Sequence, residues 1–167
     1  MFQEIAKVSA AIAAGMVGVA SIGNAVGRIF WAWVSDAITR RWTFVTMFLL
    51  QVGLFWILPG LSTSVALAVL VFIVLMCYGG GFGTMPAFAA DYFGSKNVGP
   101  IYGLMLTAWG FASAFGPLLI AYMRQISGSY ASGLHLIAGI MAVSMIVPIL
   151  VSPPNGNKAV APAANSR

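Results

Sequence analysis

Charge is what this sequence has least of. Only 7% of its 167 residues are charged, where a soluble domain carries about 25%. Three acids are present, Glu4, Asp36 and Asp91. They supply no carboxylate pair, metal-ligand spacing or catalytic triad, so enzyme chemistry and a metal site are excluded and no cofactor is implied. The single Cys77 has no partner for an internal disulfide. The single His135 stands at the start of the last apolar run, where an interfacial position explains it. The glycine run at 79–83 lacks the following Lys-Ser/Thr of a phosphate loop. No basic cluster interleaved with aromatics exists to grip phosphates, which excludes nucleic acid as a partner.

What is abundant is apolar. Hydrophobic residues make up 60% of the chain and its mean hydropathy is +0.96. So few charges cannot clothe a soluble surface, so the chain is read as an integral membrane protein whose partner is the lipid bilayer. A helix that crosses the hydrocarbon needs about twenty mostly apolar residues. Five such runs occur, at about 10–34, 42–58, 65–89, 98–123 and 134–151. They are continuous and twice the length of a barrel strand, so helices are expected rather than a β-barrel. Turn and charge signals part them: "SDAITRR", "PGLSTS", "DYFGSKN" and "RQISGSYAS". Residues 1–152 therefore read as an all-α transmembrane bundle. Residues 153–167, "PPNGNKAVAPAANSR", read as a disordered tail. The first run is too long for a cleaved signal peptide and ends in charges, as a span does.

Five spans put the termini on opposite sides. Arg40, Arg41, Lys96, Lys158 and Arg167 then fall on one side, and Lys7 and Arg124 on the other. The richer side is expected to be cytoplasmic, with the N-terminus outside and the tail inside, in the inner (cytoplasmic) membrane.

Arg28 interrupts the first run. Ser21, Asn24, Arg28, Trp31 and Ser35 recur at helical spacing on one face. A polar stripe on an apolar helix is expected to face a bundle interior or a water-filled cavity, and an intramembrane charge is expected to be functional. Snorkelling to the headgroups is the plainer alternative. Gly23 and Gly27 form one GxxxG, and Gly99 and Gly103 another, each suited to close helix approach. Tyr78 and Phe82 lie a turn apart beside the glycine run, and Tyr102, Trp109 and Ser113 share a face of the fourth span.

"GRIFWAWVSDAITRR" and "DYFGSKNVGPIYGLMLTAWGFASAFGPLL" resemble the C-terminal half of the major facilitator superfamily, in particular its oxalate/formate antiporter-like members. The resemblance implies that the spans correspond to helices eight to twelve of that fold, and that "WVSDAITRR" corresponds to a cytoplasmic motif of form G-x-x-[AS]-D-[RK]-x-G-[RK]-[RK]. Ser35, Asp36, Arg40 and Arg41 match the motif, while Ala32, Ala37 and Thr39 depart from it. Asp36, Arg40 and Arg41 are thereby implied to form a gate latch. A solvated loop pair is the alternative.

The resemblance also implies that Arg28 binds a carboxylate, with the helix-ten aromatics Tyr78 and Phe82 lining the site. Asn24 and Tyr102 are further candidate donors. Relatives carry a second cation in helix eleven, where this chain has Trp109. One cation suits a monocarboxylate better than a dianion, because an unpaired buried charge is costly. The expected function is therefore secondary transport of a small organic anion by alternating access. It requires the missing N-terminal half, from a longer chain or a second one. A small membrane packing or assembly protein with no transport of its own is the alternative.

Overall fold

The computed structural model describes residues 10–61 and 63–151. The tail expected at 153–167 lies outside them, as do Lys7, Lys158 and Arg167. The described chain is all helix and turn. Helix α1 spans Ala10–Ile38, α2 Arg40–Ile57, α3 Ser64–Phe93, α4 Val98–Ser127, α5 Tyr130–Ser144 and α6 Ile146–Leu150. Short 3₁₀ turns at Leu58–Gly60 and Ser95–Asn97 join α2 to α3 and α3 to α4. Five segments are long and apolar enough to cross a membrane, with α5 and α6 together making the fifth. This is an all-α membrane protein.

The helices outrun the apolar runs that nucleate them. α3 continues past residue 89 through Asp91 to Phe93, and stops only where Gly94 adopts φ 82°. α4 continues through Arg124 to Ser127, and Gly128 ends it in the left-handed conformation. Between α1 and α2 a single residue breaks the helix. Thr39 sits at φ 88°, ψ 148°, nearly the geometry of Gly94 at φ 82°, ψ 149°. A glycine takes that conformation freely, but a threonine is strained there by about 1–3 kcal/mol.

The largest helix–helix interface joins α1 to α3, and α2 to α5 is next. Glycine makes the first one possible. Gly23 lies under the Phe72 carbonyl, where an added Cβ would be 2.6 Å from the oxygen, and Gly27 lies under the Met76 backbone. In return Gly79 meets Asn24, Gly80 meets the Trp31 ring, and Gly83 meets the Arg28 backbone, its added Cβ 2.7 Å from that carbonyl oxygen. Close approach of this kind replaces the hydrophobic drive that lipid removes. Gly99 and Gly103, the second GxxxG, meet no neighbour within 4 Å. Their helix, α4, has no buried residue.

Two small cores hold the bundle. Met16, Leu58, Leu67 and Leu134 cluster at one end, and Trp31, Met47 and Cys77 lie deeper along α1, α2 and α3. Arg40, Arg41, Asp91 and Lys96 gather at the opposite end, and Arg124 lies at the end of Leu58 and Leu134. Among the described residues, Arg40, Arg41 and Lys96 thus share one end of the bundle and Arg124 lies at the other.

Candidate functional site

The stripe on α1 is wider than one face of contact. At about 100° per residue, Ser21, Asn24, Arg28, Trp31 and Ser35 span about 80° of the helix. One edge turns into the bundle: Trp31 is 4% exposed and Ser35 2%. The other edge turns out, leaving Ser21 and Arg28 exposed, with the Ser21 hydroxyl returned to the Val17 carbonyl at 2.9 Å. Asn24 belongs to the inward edge, its Oδ1 buried without a hydrogen-bond partner among the described residues. The five do not, therefore, line one common surface. The glycine interface takes part of the stripe for packing.

Arg28, Tyr78, Phe82 and Trp109 form one contiguous cluster across α1, α3 and α4. The Arg28 guanidinium carbon lies 6.0 Å from the centre of the Phe82 ring, at the reach of a cation–π contact. Phe82 meets Tyr78 edge-on at 5.2 Å and Trp109 at 5.6 Å. Trp109 Nε1 donates to the Tyr78 hydroxyl at 2.6 Å. No carboxylate pairs with Arg28 among the described residues. Because the Tyr78 oxygen accepts from Trp109, its own proton is left to donate outward. That donor was not legible from spacing, which puts Tyr78 and Trp109 on different spans and leaves their pairing open. Tyr102 stays apart. It lies two turns before Trp109 on α4, about 10 Å along the axis, and makes no hydrogen bond or ring contact among the described residues.

A second cluster closes the opposite, charged end. Arg40 Nη1 donates to Asp36 and to the buried Ser35 hydroxyl, the latter at 2.9 Å, while its Nε donates to Asp91 at 2.9 Å. The helix does not continue from Asp36 to Arg40, yet the pair forms, because the turn at Thr39 costs only one residue. Arg41 donates to the Ile149 carbonyl and lies 5.6 Å from the Trp42 ring. These bonds tie α1, α2, α3 and α6 together at one end. Sequence reasoning assigned Asp91 no role. The available signal was antiparallel alternation, which returns the start of α2 and the end of α3 to the same face. At the far end, His135 packs on Trp56 with ring centres 4.6 Å apart and planes tilted by 31°, its Nε2 3.3 Å from the Trp56 carbonyl oxygen.

The described residues thus form a bundle of long apolar helices, with an arginine that pairs with no described carboxylate set among aromatics and a charged clasp at one end. Residues 1–166 match the family model described as Major Facilitator Superfamily, and the chain belongs to that superfamily. Among curated relatives it is 30% identical to Apicoplast pyruvate carrier 2 of Toxoplasma gondii, over 74% of this chain and 18% of the carrier. It is 28% identical to Sialic acid transporter NanX of Escherichia coli (strain K12), over 86% of this chain and 35% of that protein. A Putative tartrate transporter of Agrobacterium vitis is 33% identical over 44% of this chain and 15% of its own. The chain thus spans at most about a third of the length of these relatives.

Proposed function

We propose that the chain supplies five helices of a secondary transporter for small organic anions, with Arg28 as the carboxylate anchor. The observation that carries this reading is an exposed guanidinium on a long apolar helix, without a carboxylate partner among the described residues and set against an aromatic wall. Such a charge is expensive in a membrane unless it faces water or a ligand. Bidentate pairing with a carboxylate suits its geometry. The Tyr78 hydroxyl supplies a second donor, in place of Tyr102. Pyruvate, tartrate and sialic acid, after which three relatives are named, all bear a carboxylate. The single cation favours a monocarboxylate, the preference of an oxalate/formate antiporter-like carrier whose second charge is replaced by Trp109.

The site opens alternately to either side as this bundle rocks against a second one. That second bundle is the missing N-terminal half, from the same longer chain or from another. Asp36, Arg40 and Arg41, joined by Asp91, latch the cytoplasmic gate, with the N-terminus outside and the C-terminus inside. The test is an exchange screen across small carboxylates in proteoliposomes that hold the complete carrier, with Arg28→Gln alongside. Exchange of a monocarboxylate that Arg28→Gln abolishes, with membrane insertion intact, is the expected result. Normal exchange in Arg28→Gln reduces Arg28 to a snorkelling residue. No exchange of any acid leaves a packing or assembly protein.

A further inference from the structure

The aromatic wall beside Arg28 has a second side. Behind it, between α2, α3, α4 and α5, lies a partly enclosed cavity of about 250 Å³ whose lining includes Tyr78, Phe82 and Trp109. No charged residue lines it; the polar groups are Gln51, the Cys77 thiol and the Tyr78 hydroxyl. Met47, Met85, Met105 and Met141 supply much of the remaining surface, and thioether side chains adapt to ligands of differing shape. A dry apolar cavity of about 150 Å³ is large enough to hold benzene. This one therefore has room for a ring with a short linker, and it cannot by itself hold an anion.

Phe82 belongs to both environments. Its ring lies 6.0 Å from the Arg28 guanidinium carbon and also lines the cavity. We infer that the preferred substrate is a monocarboxylate with an apolar body: its carboxylate binds Arg28 and its hydrocarbon or aromatic group enters the methionine-lined cavity past Phe82. This rests on the carboxylate reading above and narrows it, away from formate and the shortest acids. The occupant follows from the pairing of two complementary surfaces, a cation for the carboxylate and an uncharged, plastic chamber next to it for the tail.

Gly81 allows the inference to be tested without disturbing the helix packing. It lines the cavity, and an added Cβ there meets nothing within 4 Å. Gly81→Leu therefore fills the chamber without a collision at Cβ. Affinities for acetate, 3-phenylpropionate and the neutral 3-phenylpropanamide are measured on the full polypeptide in lipid nanodiscs, by quenching of tryptophan fluorescence or by competition. The expected result is 3-phenylpropionate binding at least about tenfold tighter than acetate, the scale set by burying an aromatic group. Gly81→Leu brings that ratio down to about one, Arg28→Gln removes binding of both acids, and the amide binds far more weakly than the acid.

Arg28-dependent acetate binding with equal or weaker binding of 3-phenylpropionate overturns the inference and leaves the carboxylate reading standing. Equal binding of acid and amide, insensitive to Arg28→Gln, also overturns it, showing a lipophilic pocket unconnected to the anion site. Absence of binding by either acid overturns the inference and the carboxylate reading together. If Gly81→Leu fails to insert, Met105→Phe fills the same chamber from α4 and carries the same expectations.

Discussion

At the scale of the residue, the proposed chemistry rests on Arg28 and Trp109. A lysine at position 28 keeps the charge but loses the planar fork that pairs both carboxylate oxygens. Arg28→Lys is therefore expected to lower the affinity for a monocarboxylate about tenfold, the order of one lost charge-assisted hydrogen bond. Concentration-dependent exchange measures it. Trp109→Lys restores a second cation and breaks the bond to Tyr78. It is expected to shift selectivity toward a dicarboxylate; unchanged selectivity would place Trp109 outside the site. Thr39 is a different kind of residue. Its φ of 88° is strained for any side chain, and the motif that its loop resembles has glycine there. Thr39→Gly is expected to stabilise the protein by about 1–2 kcal/mol, read as a raised midpoint of unfolding in detergent. A lowered midpoint would mean that the threonine side chain contributes more than its strain costs.

At the scale of the element, α1 and α3 act as one unit because their glycines interlock. Gly27→Val drives a side chain into the Met76 backbone and is expected to cost about 1–3 kcal/mol, the range of overpacking in a tight interface. Gly99→Val meets no described neighbour. In this chain it is expected to change stability by only a few tenths of a kcal/mol, in the stabilising direction, because valine is a better helix former than glycine. Folded fraction in nanodiscs, compared for the two variants, measures the contrast. At the charged end, Asp91→Asn loosens α2 from α3 by removing a pair that is half exposed, with the Asp91 side chain 53% accessible. The stability change is expected to stay under about 1 kcal/mol, while, under the proposed latch role, the balance between open and closed gates is expected to shift.

The element scale is also where the sequence was most readable. Long apolar runs and turn dipeptides are local signals, and each run coincides with one of the five long apolar segments among the described residues. The ends were less readable: α3 runs on to Phe93 and α4 to Ser127, since a helix continues through polar residues until a glycine or strained turn stops it. The polar stripe on α1 was legible as a period. Its division between packing and exposure was not, because that depends on which neighbour supplies the glycines. Asp91 and the Tyr78–Trp109 bond escaped for the same reason: both join residues far apart in the chain.

At the scale of the whole molecule, the bundle is open on one side. α4 carries Trp109 yet has no buried residue, and large side chains such as Leu104, Phe111 and Phe115 are more than 60% exposed. Lipid can cover such a surface, and so can the second bundle that alternating access requires. Transport through the proposed site requires that position 28, on α1, open on water. Cys77 is the single cysteine of this chain, so Cys77→Ser, with any cysteine of the second bundle replaced likewise, provides a background in which Arg28→Cys carries the only thiol. The rate of labelling at that thiol by a charged, membrane-impermeant thiosulfonate is the most direct test. Labelling from an aqueous side, in the complete carrier, is the predicted result. A thiol that reacts only with lipid-soluble reagents would place position 28 among acyl chains and contradict the carrier.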